Sequence, residues 1–387
     1  MIDRSVCMVA PRVYLIASGD EQQRFAGGAE VQQSFIARGL VSRGYRVTIL
    51  TGDFGQEDEV NLDGVRYLKV RQTGNSLPVV RFFHPRLTGL WKGMEQAQAS
   101  IYYQRCSGIN TFATAAYAKL KGRRFVFSVA HDLDLEKPRT KEIFPGRGGW
   151  RELQLYYRGI QWADLIIAQH KAQQVSCERW HGREAELIPS CYPLAQRARS
   201  GFDSGVVLWV AMLRPWKRVD RFLNLARQMP TRRFRIIGGV STAGNDPVAS
   251  QYYQEVEQIA THLPNVEFLG FLPYHQVEKH FDEASLFVNT SEYEGFPNTF
   301  LQAWARGVPT VSFVDCGAAD LDGPIGFSVG NEDELLQITR ALTHDRVRWE
   351  RESQRCSDYF MRNHSLDAVA EKYSELFDRL LREKSVA

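Results

Sequence analysis

A chain of 387 residues with 44% hydrophobic content is long enough for two domains of ordinary size, each with a full core. No run of about 18 apolar residues appears, and the first residues, with Asp3 beside Arg4, are too short in apolar content for a signal peptide, so a cytoplasmic protein is expected. The net charge of +3 hides an imbalance: residues 1–200 carry 28 Lys and Arg against 19 Asp and Glu, and the remainder 20 against 26, which makes the first half the side expected to face something anionic.

Apolar runs and amphipathic stretches alternate from end to end, the pattern of parallel sheets covered by helices on both faces. In the first half, Val13–Ala17, Val47–Leu50, Ile101–Gln104, Phe125–Val129 and Leu165–Ala168 read as strands, and 28–43, 109–121, 150–162 and 170–180 as their crossover helices. These make one doubly wound domain over 1–189. Between 190 and 204 the periodicity is lost and turn formers gather, which predicts a linker. A second series over 205–364 has strands at Val206–Val210, Phe234–Ile237, Val266–Leu269, Leu286–Asn289 and Thr310–Phe313, with helices near 218–228, 248–262, 275–283 and 298–306. From 365 to 387 an amphipathic helix carries Leu366, Val369, Tyr373, Leu376 and Leu380, with no strand after it. The expected fold class is α/β, with two Rossmann-like doubly wound domains facing across a cleft. Six cysteines lie far apart with no Cys-x-x-Cys pair, which argues against a zinc site and a disulfide framework.

Chemistry concentrates at the strand ends. After Leu286–Asn289 comes a polar loop holding Glu292 and Glu294, then a helix that opens at Pro297 and stops at Gly307. Open α/β sheets bind ligands at the carboxyl ends of their strands, and a helix opened by proline directs the amides of Asn298 and Thr299 toward an anion. A carboxylate beside an anion site suits a ligand that is both anionic and rich in hydroxyls, as a sugar nucleotide is. Gly27 and Gly28 precede a helix and allow close approach of a phosphate. They do not make the Gly-x-Gly-x-x-Gly fingerprint, so a nicotinamide dehydrogenase is disfavoured. Arg214 and Lys217 follow a strand, and His131 with Asp132 closes another.

The segment Glu294-Gly295-Phe296-Pro297-Asn298 with Gly307-Val308-Pro309 resembles the carboxylate signature of glycosyltransferase family 4, retaining sugar-nucleotide transferases of the GT-B fold. Gln302 stands where that signature has its second Glu. Gly27-Gly28-Ala29-Glu30 resembles the family's diphosphate-binding turn. The stretch from Leu208 to Asp220 is similar to its Gly-Arg-Leu...Lys-Gly-x-Asp motif, with Lys217 on the Lys, Met212 in place of the Arg, and Arg214 two residues on. Gly238-Gly239 matches a donor-side turn, and the segment after Asn265 matches the strand whose following backbone, Gly270, Phe271 and Leu272, meets the nucleobase.

The resemblance implies transfer of a sugar from a nucleotide-sugar donor to a hydroxyl acceptor with retention of configuration, in polysaccharide or glycolipid assembly. Lys217, Arg214 and the amides of Asn298 and Thr299 would meet the diphosphate, Glu294 the donor sugar, Gln302 the ribose, and His131 would lie near the transferred sugar. It also implies independence from divalent metal, no further cofactor, and a last helix that crosses back onto the first domain. The partners expected are the nucleotide-sugar and a glycan or lipid-linked acceptor, with peripheral association at the inner face of a membrane through the basic first domain, and no nucleic acid. Two alternatives stay open: an epimerase or hydrolase of sugar nucleotides on the same fold, and a nucleotide-sugar binding protein with weakened catalysis, which Met212 and Gln302 would suit.

Overall fold

The computed structural model describes residues 2–19, 27–70, 87–135, 150–195, 201–240 and 247–383. The chain forms two compact units and passes from the first to the second at Cys191–Tyr192 and back at Ser365–Leu366.

The first unit runs through β1 (Ser5–Val9), α1 (Tyr14–Ala17), α2 (Gly28–Ser42), β2 (Arg46–Thr51), β3 (Glu59–Leu62), β4 (Val65–Lys69), α3 (Thr88–Ala97), β5 (Ile101–Arg105), α4 (Ile109–Leu120), β6 (Arg124–Ser128), α5 (Trp150–Gln161), β7 (Leu165–Ala168), α6 (Lys171–His181) and β8 (Glu186–Leu187). Its sheet has the order β3-β4-β2-β1-β5-β6-β7-β8 and is parallel except for the β3–β4 hairpin. β1 and β5 are buried at every position, because helices cover both faces of a parallel sheet. One face packs Cys7, Val9, Tyr102, Phe125 and Phe127 into a single core. From β1 the chain winds outward to β2 on one side and resumes with β5 on the other. The topological switch point therefore lies at the carboxyl ends of β1 and β5.

The first strand is Ser5–Val9, not the expected Val13–Ala17, of which Tyr14–Ala17 forms the short helix α1. The ladder reaches Ala10, whose amide donates to Leu50 O, and ends at Pro11, which has no N–H to continue it. A five-residue apolar run carries no periodicity long enough to tell helix from strand.

The second unit comprises β9 (Val206–Val210), α7 (Val219–Gln228), β10 (Arg233–Ile237), α8 (Pro247–Thr261), β11 (Val266–Phe268), α9 (Tyr274–Asp282), β12 (Ala284–Asn289), α10 (Asn298–Trp304), β13 (Thr310–Ser312), the small hairpin β14 (Ala319–Asp320) and β15 (Gly323–Pro324), then β16 (Phe327–Ser328), α11 (Glu332–His344) and α12 (Arg346–Asn363). The parallel sheet has the order β11-β10-β9-β12-β13-β16, so its switch point lies between β9 and β12. Of the stretch read as a linker, 192–195 and 201–204 cluster with this unit. There Phe202 meets Trp349 edge-on at 6.1 Å and Asp203 pairs with Arg346.

The last helix, α13 (Leu366–Arg382), belongs to the first unit and packs on α2. A Cβ at Gly39 would come within 2.8 Å of Ala370 Cβ, so glycine sets how closely the two helices approach. Asp378 accepts from the Tyr45 hydroxyl at 2.6 Å and from Arg4 Nε at 3.0 Å, and Arg43 donates to Asp367 at 2.6 Å. Burial works to raise the Asp378 carboxyl, but Tyr45 and Arg4 outweigh it and hold the group below the usual carboxylate range. Among the described residues no helix is long and apolar enough to cross a membrane.

Candidate functional site

Two loops leave the adjacent carboxyl ends of β9 and β12, at the switch point of the second unit, and each carries one charge of an ion pair. Lys217 Nζ donates to Glu294 Oε1. The same oxygen accepts from Ser291 Oγ at 2.8 Å and, more weakly, from Asn289 Nδ2 at 3.4 Å. All three bonds reach Oε1, so among the described residues none occupies Oε2, and that oxygen is left to accept from a ligand hydroxyl. Lysine has three donors, of which the pair uses one.

The loops are tied to each other by backbone as well. Trp209 Nε1, inside the core, donates to Thr290 Oγ1 at 2.9 Å, and that hydroxyl donates to the carbonyl of Lys217 at 2.8 Å. The Glu292 amide donates to Trp216 O at 2.9 Å. The rings of Trp216 and Tyr293 stack at 6.1 Å with 12° between planes, and the Arg214 guanidinium sits 5.8 Å from the Trp216 centroid. Arg218 stands where the family motif has glycine, with φ at +49°, in the left-handed region that favours glycine. Its guanidinium bonds Asp220 at 2.8 Å and Glu292 at 3.1 Å, and these carboxylates raise its already high pKa, Asp220 most.

Three glycines draw the loops after β9, β10 and β11 together. A Cβ at Gly238 would lie 2.2 Å from Ala211 O, and one at Gly239 would lie 2.6 Å from Phe271 Cβ. Gly270 has φ +62°, and the Gly238 amide donates to its carbonyl at 2.8 Å. The loop Gly270, Phe271 and Leu272 is thereby held beside the turn at Gly238, on the edge that also carries Lys217 and Glu294.

Pro297 occupies the N-cap of α10, with Asn298 and Thr299 opening the helix. Phe296 stacks on His364 at 5.0 Å, and Gly295 links it to Glu294, so the ring anchors the loop in an aromatic cluster with Trp304 and Tyr359. Gln302 is only 3% exposed, and its Nε2 has no hydrogen-bond partner among the described residues. Gln302 thus does not stand on an open polar face of the helix. α10 is enclosed by α9, α12 and β13, and every residue from Phe300 to Trp304 is buried.

In the first unit, Gly27 caps α2 and Gly28 begins it; with φ −77°, the Gly27 backbone conformation is open to any residue. His131 follows β6 and caps a short turn, its Nδ1 accepting from the Leu133 amide at 3.2 Å. Nδ1 being the acceptor, the neutral ring carries its proton on Nε2 and presents a donor. Asp132 accepts from His170 Nε2 at 3.0 Å and Gln173 Nε2 at 2.8 Å. Burial raises its carboxyl, but these two bonds prevail and hold it below the usual range. Asp134 is spent on the amides of Ala130, His131 and Ser107. The carboxylates of Asp132 and Asp134 are thus both engaged within the fold. Among the described residues no group of three or more His, Cys, Asp or Glu is placed to hold a metal ion.

The sequence reading missed Ser291, Asn289 and the Trp209–Thr290 relay. The available signal was that Asn289, Thr290 and Ser291 end an apolar strand that remains buried through these polar residues.

Two doubly wound units, with a lysine–carboxylate pair at the switch point of the second, define a GT-B glycosyltransferase. Residues 26–196 match the profile described as Glycosyltransferase Family 4, and residues 204–345 the one described as Glycosyl transferases group 1. The chain is a family-4 glycosyltransferase. It is 24% identical over 355 residues to the mannosylfructose-phosphate synthase of Agrobacterium fabrum, covering 81% of this chain and 76% of that protein. In fold it is similar to the sucrose-phosphate synthase of Thermosynechococcus elongatus, with a TM-score of 0.74 and 15% identity over 98% of this chain and 100% of the other. An Anabaena protein crystallised with UDP and glucose gives a TM-score of 0.70 and 17% identity, again over 98% and 100%.

Proposed function

We propose that the chain moves a sugar from a nucleotide-sugar donor to a hydroxyl of a glycan or lipid-linked acceptor, with retention of configuration and without a divalent metal. The observation that carries this reading is the Lys217–Glu294 pair at the β9–β12 switch point, with Oε2 of Glu294 left for a ligand. In the proposed step the bond from the anomeric carbon to the diphosphate breaks and its electron pair leaves with the nucleoside diphosphate. The acceptor oxygen bonds the same face of the sugar, and its proton passes to a departing phosphate oxygen. Lys217, aided by Arg214, meets the growing negative charge, and Glu294 Oε2 takes donor-sugar hydroxyls while its charge faces the developing oxocarbenium. His131 Nε2–H serves as a hydrogen-bond donor to the sugar rather than as a base. Gly27 and Gly28 are assigned to the diphosphate, Gly238, Gly270, Phe271 and Leu272 to the nucleoside, and Gly295, Phe296, Pro297, Asn298 and Thr299 to the loop that carries Glu294. Gln302, with its unpaired amide, is assigned to the ribose.

The basic excess of residues 1–200 supports peripheral docking on the inner face of a membrane. Co-sedimentation with anionic but not neutral vesicles is the expected result, and equal binding to both would count against it. The donor reading is tested by thermal shift with UDP, GDP and ADP and their sugar conjugates, since a ligand stabilises by RT ln(1 + [L]/Kd). One nucleoside diphosphate should raise the melting temperature in excess EDTA. Indifference to all three would sink the reading.

A further inference from the structure

Arg105 closes β5 at the switch point of the first unit, where a doubly wound sheet binds its ligand. The residue is 5% exposed, and among the described residues it forms no ion pair with an acid. Nη1 donates to Ser128 Oγ at the end of β6, at 3.2 Å, while Nε is buried with no hydrogen-bond partner. On the same face of β5 the buried hydroxyl of Tyr103 faces the guanidinium without the geometry of a full hydrogen bond. The ionisable groups whose charge Arg105 feels are the phenols of Tyr103 and Tyr373 and the thiol of Cys106, with no carboxyl among them. Burial drives the Tyr373 phenol well above its usual range and the nearby Cys191 thiol up to about 12, so both are neutral at pH 7.

A buried guanidinium with no acid paired to it among the described residues is a standing cost to the fold, because one hydroxyl bond offsets little of its desolvation. Its planar fork of donors matches a phosphate or carboxylate better than any other chemistry. We propose that Arg105 is the receptor for a phosphate group carried by the acceptor. The proposal rests on the glycosyl-transfer reading for the word acceptor; the anion site itself stands on Arg105.

The test is calorimetric titration of inorganic phosphate into the full chain, presaturated with whichever nucleoside diphosphate binds, at fixed ionic strength. Wild-type protein should bind phosphate, and Arg105→Met should weaken that binding about tenfold or more while nucleotide binding and melting temperature hold or rise. Absent phosphate binding in the wild type, or binding unchanged in Arg105→Met, would overturn the proposal. So would a drop of several degrees in the melting temperature of Arg105→Met, since it would show that the guanidinium neutralises a carboxylate of the protein itself. If Arg105→Met does not fold, Arg105→Lys carries the test, because an ammonium lacks the bidentate fork. Weakened phosphate binding with intact nucleotide binding then supports the site, and unchanged phosphate binding removes it. Nucleotide binding is the separate readout: its failure alone would sink the donor reading and leave the phosphate result to be judged by Arg105.

Discussion

Arg218 shows how a single residue departs from its family motif and is held there by its neighbours. With φ +49° it takes the conformation that glycine adopts without cost, and the strain is offset by bonds to Asp220 and Glu292. Arg218→Ala keeps the strained backbone and loses both bonds, whereas Arg218→Gly loses the bonds and relieves the strain. The glycine variant should therefore be the more stable of the two by about 1 kcal/mol in denaturant titration. An alanine variant equal to or more stable than glycine would show that the backbone here is unstrained. At the same scale, Gln302 illustrates what residue identity cannot reveal. Its place in the family signature was legible, but its burial depends on α9, α12 and β13 closing over a seven-residue helix.

At the scale of elements, long periodic segments were read within a residue or two: α2, α4, α7, α8 and every strand of the second unit from β9 to β13. The misses have physical causes. The hairpin β3–β4 and the short β8, β14, β15 and β16 have two to five residues each, too few to establish a period, and only Tyr14–Ala17 was given the wrong type. α12 carries eight charged residues among eighteen and buries a narrow stripe of Trp349, Cys356 and Phe360 that shows no apolar run. The return of α13 to the first unit was expected from the family and is held in the structure by the Asp378 cluster. Because the folded Asp378 carboxyl is depressed, its contribution is complete above the ordinary carboxylate range near 4 and is lost as pH falls through the lower folded value. Asp378→Asn should thus cost about 1–3 kcal/mol at pH 7 and progressively less in acid. Urea titrations at pH 7 and below pH 4 would show the gap closing; a gap independent of pH would mean that the carboxylate charge contributes nothing to docking α13.

For the whole molecule, the same device appears twice: a doubly wound sheet whose switch point holds a cation, Arg105 in the first unit and Lys217 in the second. Motifs made the second legible, because Lys217 and Glu294 stand in family signatures. They left the first obscure, because the absence of a carboxylate paired with Arg105 among the described residues depends on what surrounds it and leaves no trace in sequence spacing. The central claim is that Glu294 and Lys217 perform the transfer without a metal. It is tested most directly by the rate of nucleoside diphosphate release from the donor sugar nucleotide, in excess EDTA, for wild type, Lys217→Ala and Glu294→Gln. The account predicts full wild-type turnover under chelation. Glu294→Gln should be slower by about a hundredfold or more with nucleotide binding retained, and Lys217→Ala should lose about 2–4 kcal/mol of transition-state stabilisation. Wild-type activity abolished by EDTA and restored by magnesium or manganese, or a folded Glu294→Gln with unchanged turnover, would contradict it.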